Sequence, residues 1–181
     1  MSTATTTVGI PTGTWEVDPV HSNASFEVVH SEVSIFRGAV KPLDGRLVAG
    51  EDGITLEGAV DVAGIGIDDE NIRPHLLSPD FFDAEHNPQI RFRSTAVEGS
   101  ADDLHVTGEL EMAGATRTVE ARGTIRGPVA GPGGGEKLAL ALEATVDRTE
   151  FGMDWQMDLP SGGVALASDV RLVVELELNR S

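Results

Sequence analysis

Apolar residues recur at every second position through most of this chain, and that spacing commits it to β-structure. In 138–146, Leu138, Leu140, Leu142, Ala144 and Val146 share one face. In 170–178, Val170, Leu172, Val174, Leu176 and Leu178 do the same, opposed by Arg171, Glu175 and Glu177. In 104–112, Leu104, Val106, Gly108, Leu110 and Met112 oppose His105, Thr107, Glu109 and Glu111. Shorter faces of the same kind occur in 24–30, 54–62 and 90–96. With 36–48 and 117–127 added, the pattern gives about eight strands at the spacing of antiparallel all-β folds. Turn-forming runs at Leu43-Asp44-Gly45, Glu51-Asp52-Gly53, Ala101-Asp102-Asp103 and Ala113-Gly114-Ala115 separate them. The Gly-rich run 127–136 reads as a flexible hairpin loop, with no cation to make it a phosphate cradle.

One face of each strand is aliphatic and the other polar and acidic, so the dry faces need a cover. A second sheet supplies one, and closure of the sheet on itself supplies the other. Strands of this number and length close into a barrel that is either filled or holds one small ligand. The inward faces are rich in Ala, Gly and Val, and the whole chain has six Phe, two Trp and no Tyr. Small inward residues leave room, which favours a ligand-holding barrel over a filled one.

The 181 residues fit a single domain, and the absence of cysteine excludes disulfides and thiolate metal sites. A net charge of −17 repels phosphates and anionic headgroups, which argues against nucleic-acid or membrane-surface partners. Residues 1–12 carry neither a basic n-region nor an apolar h-region and read as a disordered leader, with one domain from 13 to 181. No apolar run reaches the roughly 20 residues of a membrane span. The expectation is a soluble, acidic, cytoplasmic protein.

Residues 71–92 break the β pattern. Ser78-Pro79-Asp80 has the form of a helix start, with Ser78 as N-cap and Pro79 in the first turn, and Pro88 blocks continuation. One short helix around 75–86 is therefore expected. Its Leu76, Leu77, Phe81 and Phe82 either seal one end of the dry interior or contact a ligand there.

Three clusters hold groups capable of chemistry. Asp18, His21 and Ser22 are too close in sequence for triad geometry and read as turn and strand-start residues. His75, Asp80, Asp83, Glu85 and His86 lack metal-ligand spacing, and neither a metal nor a cofactor is expected. Arg148 to Met153, with Trp155 and Met157 beyond, places polarizable and aromatic groups in a loop, which suits an adaptable apolar site or ordinary core filling. His30 shares the dry face of its strand with Phe26 and Val28.

In order along the chain these segments resemble the YceI-like family of lipocalin-like, polyisoprenoid- and lipid-binding proteins. The resemblance rests on Trp15-Glu16-Val17-Asp18-Pro19-Val20-His21-Ser22 with Phe26 and His30, and on 71–83 with Pro88. It rests also on Gly108 to Arg117 and on Arg148-Thr149-Glu150-Phe151-Gly152. Pro74 departs from the family pattern, which has Asp there beside the arginine matched by Arg73. The resemblance implies an eight-stranded antiparallel lipocalin-like β-barrel with a helix near one end, a bound isoprenoid, quinone-like or fatty-acyl chain, and often a homodimer. The expected function is non-enzymatic binding, storage or transport of such a chain. Phe26, His30, Phe36, Arg73, Leu76, Phe81, Phe82, Phe92, Met112, Phe151, Met153 and Trp155 are the expected contacts. The alternatives are a lipid-modifying enzyme using His21 or His30 with Arg73 or Asp18, and a stress-related interaction module with a filled barrel.

Overall fold

A computed structural model describes residues 8–181. Antiparallel ladders join ten strand segments in one sheet. These are β1 (Gly13–Val17), β2 (Asn23–His30), β3 (Ser34–Val40), β4 (Leu43–Gly50) and β5 (Gly53–Asp61). After the insert come β6 (Gln89–Gly99), β7 (Leu104–Met112), β8 (Ala115–Ala130), β9 (Glu136–Asp147) and β10 (Leu166–Arg180). β1 pairs with both β4 and β10, so β1 and β4 to β10 form a closed ring of eight.

The two remaining segments extend that ring upward. β10 pairs along one edge with β9, while its other edge meets β1 at Leu178–Arg180 and β2 at Leu166–Glu175. β1 and β2 thus form one course interrupted at 18–22, and β3 and β4 form another interrupted at Lys41-Pro42. Leu43-Asp44-Gly45, expected as a turn, is instead the start of β4 and pairs with Val60, Ala59 and Gly58. Its turn-like composition yields to a ladder that gives the backbone its hydrogen bonds. The other three expected turns lie at strand junctions.

Among the described residues, β3 has no strand on its outer edge. Residues 64–66 cover it, with Lys41 N–H donating to Gly64 O and Gly66 N–H to Ala39 O. The chain then forms the single α-helix among the described residues, α1 (Ile72–Leu77), and returns through turns to β6. The helix lies earlier than the sequence signals suggested. Asp69 is its effective cap, its Oδ1 accepting from the N–H groups of Asn71 and Ile72 at 2.9 and 2.8 Å. Pro74 sits in the first turn, where a missing N–H costs nothing. Ser78 ends the helix rather than starting it: Pro79 forces it into the extended region (φ −75°, ψ 169°), and its Oγ donates back to His75 O.

The lower end of the barrel is solid. Trp15, Leu47, Leu104, Val106, Ile125, Leu138, Leu140 and Leu178 are all buried there. Val8 and Ile10 are buried in the same cluster, so ordered packing begins before residue 13, while residues 1–7 of the expected leader lie outside the described residues. Trp15 Nε1 donates to Pro11 O, and Arg180 lies over the indole while holding Thr12 O and Glu136. None of the described helices is long and apolar enough to cross a membrane.

Candidate ligand cavity

Above this plug the inward positions shrink or part, and a cavity of about 550 Å³ opens. Gly58, Ala121 and Ala144 stand at inward positions of β5, β8 and β9 where larger side chains would fill the bore. Val28, Leu110, Val146, Val170 and Leu172 form much of the aliphatic wall. The alternation identified all five as inward residues but could not separate a hollow level from a packed one.

Ten of the twelve residues expected to contact a ligand line the cavity. Phe26 and Phe36 lie on β2 and β3 with ring centroids 6.0 Å apart. Phe92 and Met112 lie on the opposite wall, on β6 and β7. Leu76, Phe81 and Phe82 descend from the insert, and Met153 and Trp155 from the loop after β9. His30 is exposed and lines the mouth at the end of β2, with Ser34, Ile35 and Ile72 near it in the lining. The other two lie elsewhere. Arg73 turns outward and donates to Ala63 O, which fastens α1 to the segment covering β3. Phe151 is buried in the upper core but lies outside the lining.

Two residues of the upper end carry structural roles that the sequence pattern did not assign. Arg148 is 3 % exposed and donates to four backbone carbonyls, those of Met153, Trp155, Leu166 and Ala167. Burial pushes its pKa down, against the pull of Asp147 and Asp154. Its planar fork ties both ends of the 153–166 loop to the barrel rim. That fixes the backbone of Trp155, whose indole packs edge-on to His75 at 5.0 Å and 5.7 Å from Phe81. His75 is the second residue. Its ring is also edge-on to Phe81 at 5.0 Å, and its Nε2 lies 3.0 Å from Asp80 Oδ2. The three rings clasp the loop to the insert and roof the cavity. An arginine preceding a Phe-Gly pair and a histidine within a Phe-rich insert were the available signals, but neither reveals its partners.

The polar clusters take other forms. His86 pairs with Asp83 and His75 with Asp80, so the carboxylates of the insert divide into separate pairs instead of converging. Asp18, His21 and Glu177 do approach one another at the surface. Lys137 already donates to Glu177, and Ser22 Oγ exchanges hydrogen bonds with the Glu177 backbone. His21 Nδ1 lies 2.9 Å from Asp18 Oδ2, and the hydrogen bond holds the Asp18 carboxyl down at about 2 and raises the His21 pKa. Asp18 Oδ1 accepts from the N–H groups of Val20 and His21, which makes this cluster the turn joining β1 to β2.

Comparison with known proteins gives a consistent result. The family model described as the YceI-like domain matches residues 15–178. A UPF0312 protein of Staphylococcus epidermidis is 28 % identical over 169 residues, covering 90 % of this chain and 95 % of the relative. Protein YceI of Escherichia coli is 26 % identical over 153 residues, covering 83 % and 80 %. Among solved structures, BcnA of Burkholderia cenocepacia superposes with a TM-score of 0.73 at 21 % identity, covering 89 % of this chain and 98 % of that one. A polyisoprenoid-binding domain from Saccharophagus degradans, implicated in plant cell wall breakdown, has a TM-score of 0.71 at 10 % identity, covering 92 % and 98 %. With its barrel, insert and closing loop in this arrangement, the chain belongs to the YceI-like family.

Proposed function

We propose that this protein is a non-enzymatic carrier of a long apolar chain of isoprenoid or fatty-acyl type. The observation that carries the reading is the apolar cavity of about 550 Å³, which falls within the usual size range of small-molecule sites. Aliphatic walls bind by removing apolar surface from water, at about 25 cal/mol per Å². The fold shared with a polyisoprenoid-binding domain supports the same class of ligand. The tail would lie between Phe26, Phe36, Phe92 and Met112, under Leu76, Phe81, Phe82, Met153 and Trp155. The polar end would sit near His30 at the mouth. Native mass spectrometry of freshly purified protein, followed by lipid extraction, tests this. One chain-like ligand per protein, released by organic extraction, is the expected result. Repeated purification without any ligand, together with no uptake of isoprenoid alcohols or fatty acids, would overturn it.

A further inference from the structure

Phe26 and Gly38 face each other directly across the β2–β3 ladder, both at inward positions. A Cβ on Gly38 would lie 2.5 Å from Phe26 Cζ, 2.6 Å from Cε1 and 3.0 Å from Ile67 Cδ1. The Cζ–Cε1 edge of the Phe26 ring therefore occupies the space a side chain would take, with Ile67 of the insert also within reach of it. The same arrangement recurs on the opposite wall, where a Cβ on Gly108 would lie 2.4 Å from Phe92 Cζ. The two sites differ in two respects: Phe92 pairs with Leu110 and so lies diagonal to Gly108, which pairs with Ser94, and the atoms nearest the new Cβ differ in kind. At Gly108 the new Cβ would also meet Arg93 O, a backbone atom, at 2.5 Å, whereas the three nearest atoms at Gly38 all belong to side chains. Gly38 also lies outside the left-handed region, so its backbone accepts an L side chain.

We propose that the Gly38–Phe26 pair sets the girth of chain the cavity admits, and that it is open enough here for methyl-branched isoprenoid chains. This inference rests on the carrier reading above. Phe26 lines the cavity, so a side chain at Gly38 displaces its ring toward the lumen. The lost space is lateral. A chain bearing methyl branches loses its fit there, while a linear chain of the same length still passes.

The test compares geranylgeraniol with hexadecan-1-ol, which share a main-chain length and a hydroxyl head and differ in methyl branches and unsaturation. Phytol, branched but nearly saturated, controls for the double bonds. Binding of each to purified protein is measured by displacement of a fluorescent fatty-acid probe, with thermal melting as a check on the fold. Wild type is expected to take up all three alcohols. Gly38→Ala is expected to weaken both branched alcohols about tenfold or more, the effect of a misplaced methyl group in an apolar pocket, and hexadecan-1-ol far less. The double variant Phe26→Leu/Gly38→Ala is expected to recover the branched ligands, because the shorter side chain leaves room for the new Cβ. Recovery in the double variant is read against Phe26→Leu alone, which loses the ring's contact with every ligand but gains no new Cβ at Gly38. Equal loss of branched and linear alcohols in Gly38→Ala, no loss of either, or failure of the double variant to recover the branched ligands would overturn the girth assignment and leave the carrier reading standing. Wild type that binds none of the three alcohols and does not take up the probe would remove the carrier reading, and this assignment with it.

Discussion

The two ends of this barrel share most of their strands and end in opposite states. β9 contributes Leu138 and Leu140 to the solid lower end, then Leu142, Ala144 and Val146 to the cavity wall. β10 runs the other way, from Val170 and Leu172 in the wall to Leu178, fully buried in the plug. Alternation is unbroken along both strands. What changes is the partner across the bore. Trp15, Leu47 and Ile125 converge from other strands below, whereas Gly58 and Ala121 leave the space above open. A hollow in a β-barrel thus arises from side-chain volume at one level, with no change in the backbone pattern.

Substitutions at the two levels should separate most clearly at Trp15. Trp15→Ala is expected to cost about 3–5 kcal/mol, because a large cavity replaces a fully buried ring. Leu178→Ala should cost about 2–5 kcal/mol, and Leu172→Ala, which already borders open space, about half as much. Urea unfolding midpoints read the difference, and equal losses at 172 and 178 would abolish the distinction between the ends. Arg148→Met should come next, at about 2–4 kcal/mol, because several carbonyls lose their donor together. Tryptophan emission should shift to the red as Trp155 leaves its clasp, while Trp15 keeps its environment. An unshifted spectrum would show that the loop does not depend on Arg148.

Adding volume tests the comparison from the opposite side. Val106→Phe in the plug should cost about 1–3 kcal/mol through overpacking. Ala144→Phe faces the cavity and should change stability by less than about 1 kcal/mol while blocking uptake of apolar probes. Retained uptake in Ala144→Phe would place the ligand elsewhere.

The smallest effect concerns the turn that joins the two levels of the first course. Asp18 is held at about 2 against an ordinary 3.8, so its contribution is complete above pH 3.8 and disappears as pH falls through about 2. The His21 pKa is raised from 6.5, so its contribution is complete below pH 6.5 and is lost as pH rises through the raised value. Both hold only between those limits, roughly pH 4 to 6.5. The pair is exposed, so Asp18→Asn should lower the melting temperature slightly within that window, converge with wild type below it, and keep only part of the difference above it, where the backbone N–H bonds accepted by Asp18 remain. A difference that persists unchanged to high pH would assign the effect to the backbone N–H bonds accepted by Asp18 instead.

Much of this architecture is written in the sequence. Alternating faces at 104–112, 138–146 and 170–178 determine strands and their inward residues, because a period of two admits only one face to a dry interior. Three of the four turn runs carry enough local chemistry to end a strand by themselves. Ordered motifs along the chain identify the family, and Phe-rich and Met-rich segments point to the lining. Only the tertiary structure decided the rest. Ser78-Pro79 satisfies the rules for a helix start and also for a stop, and the choice fell to Asp69, which caps the helix from nine residues earlier. Leu43-Asp44-Gly45 has turn composition yet pairs as a strand, since a closed ring leaves no other partner for β5 on that side. Arg73 and Arg148 look equivalent as basic residues in family motifs, but one fastens a surface segment and the other ties the roof of the cavity. Whether an inward position is filled or hollow depends on volumes contributed from across the bore. That information is distant in sequence, and it is the quantity that sets what the barrel can hold.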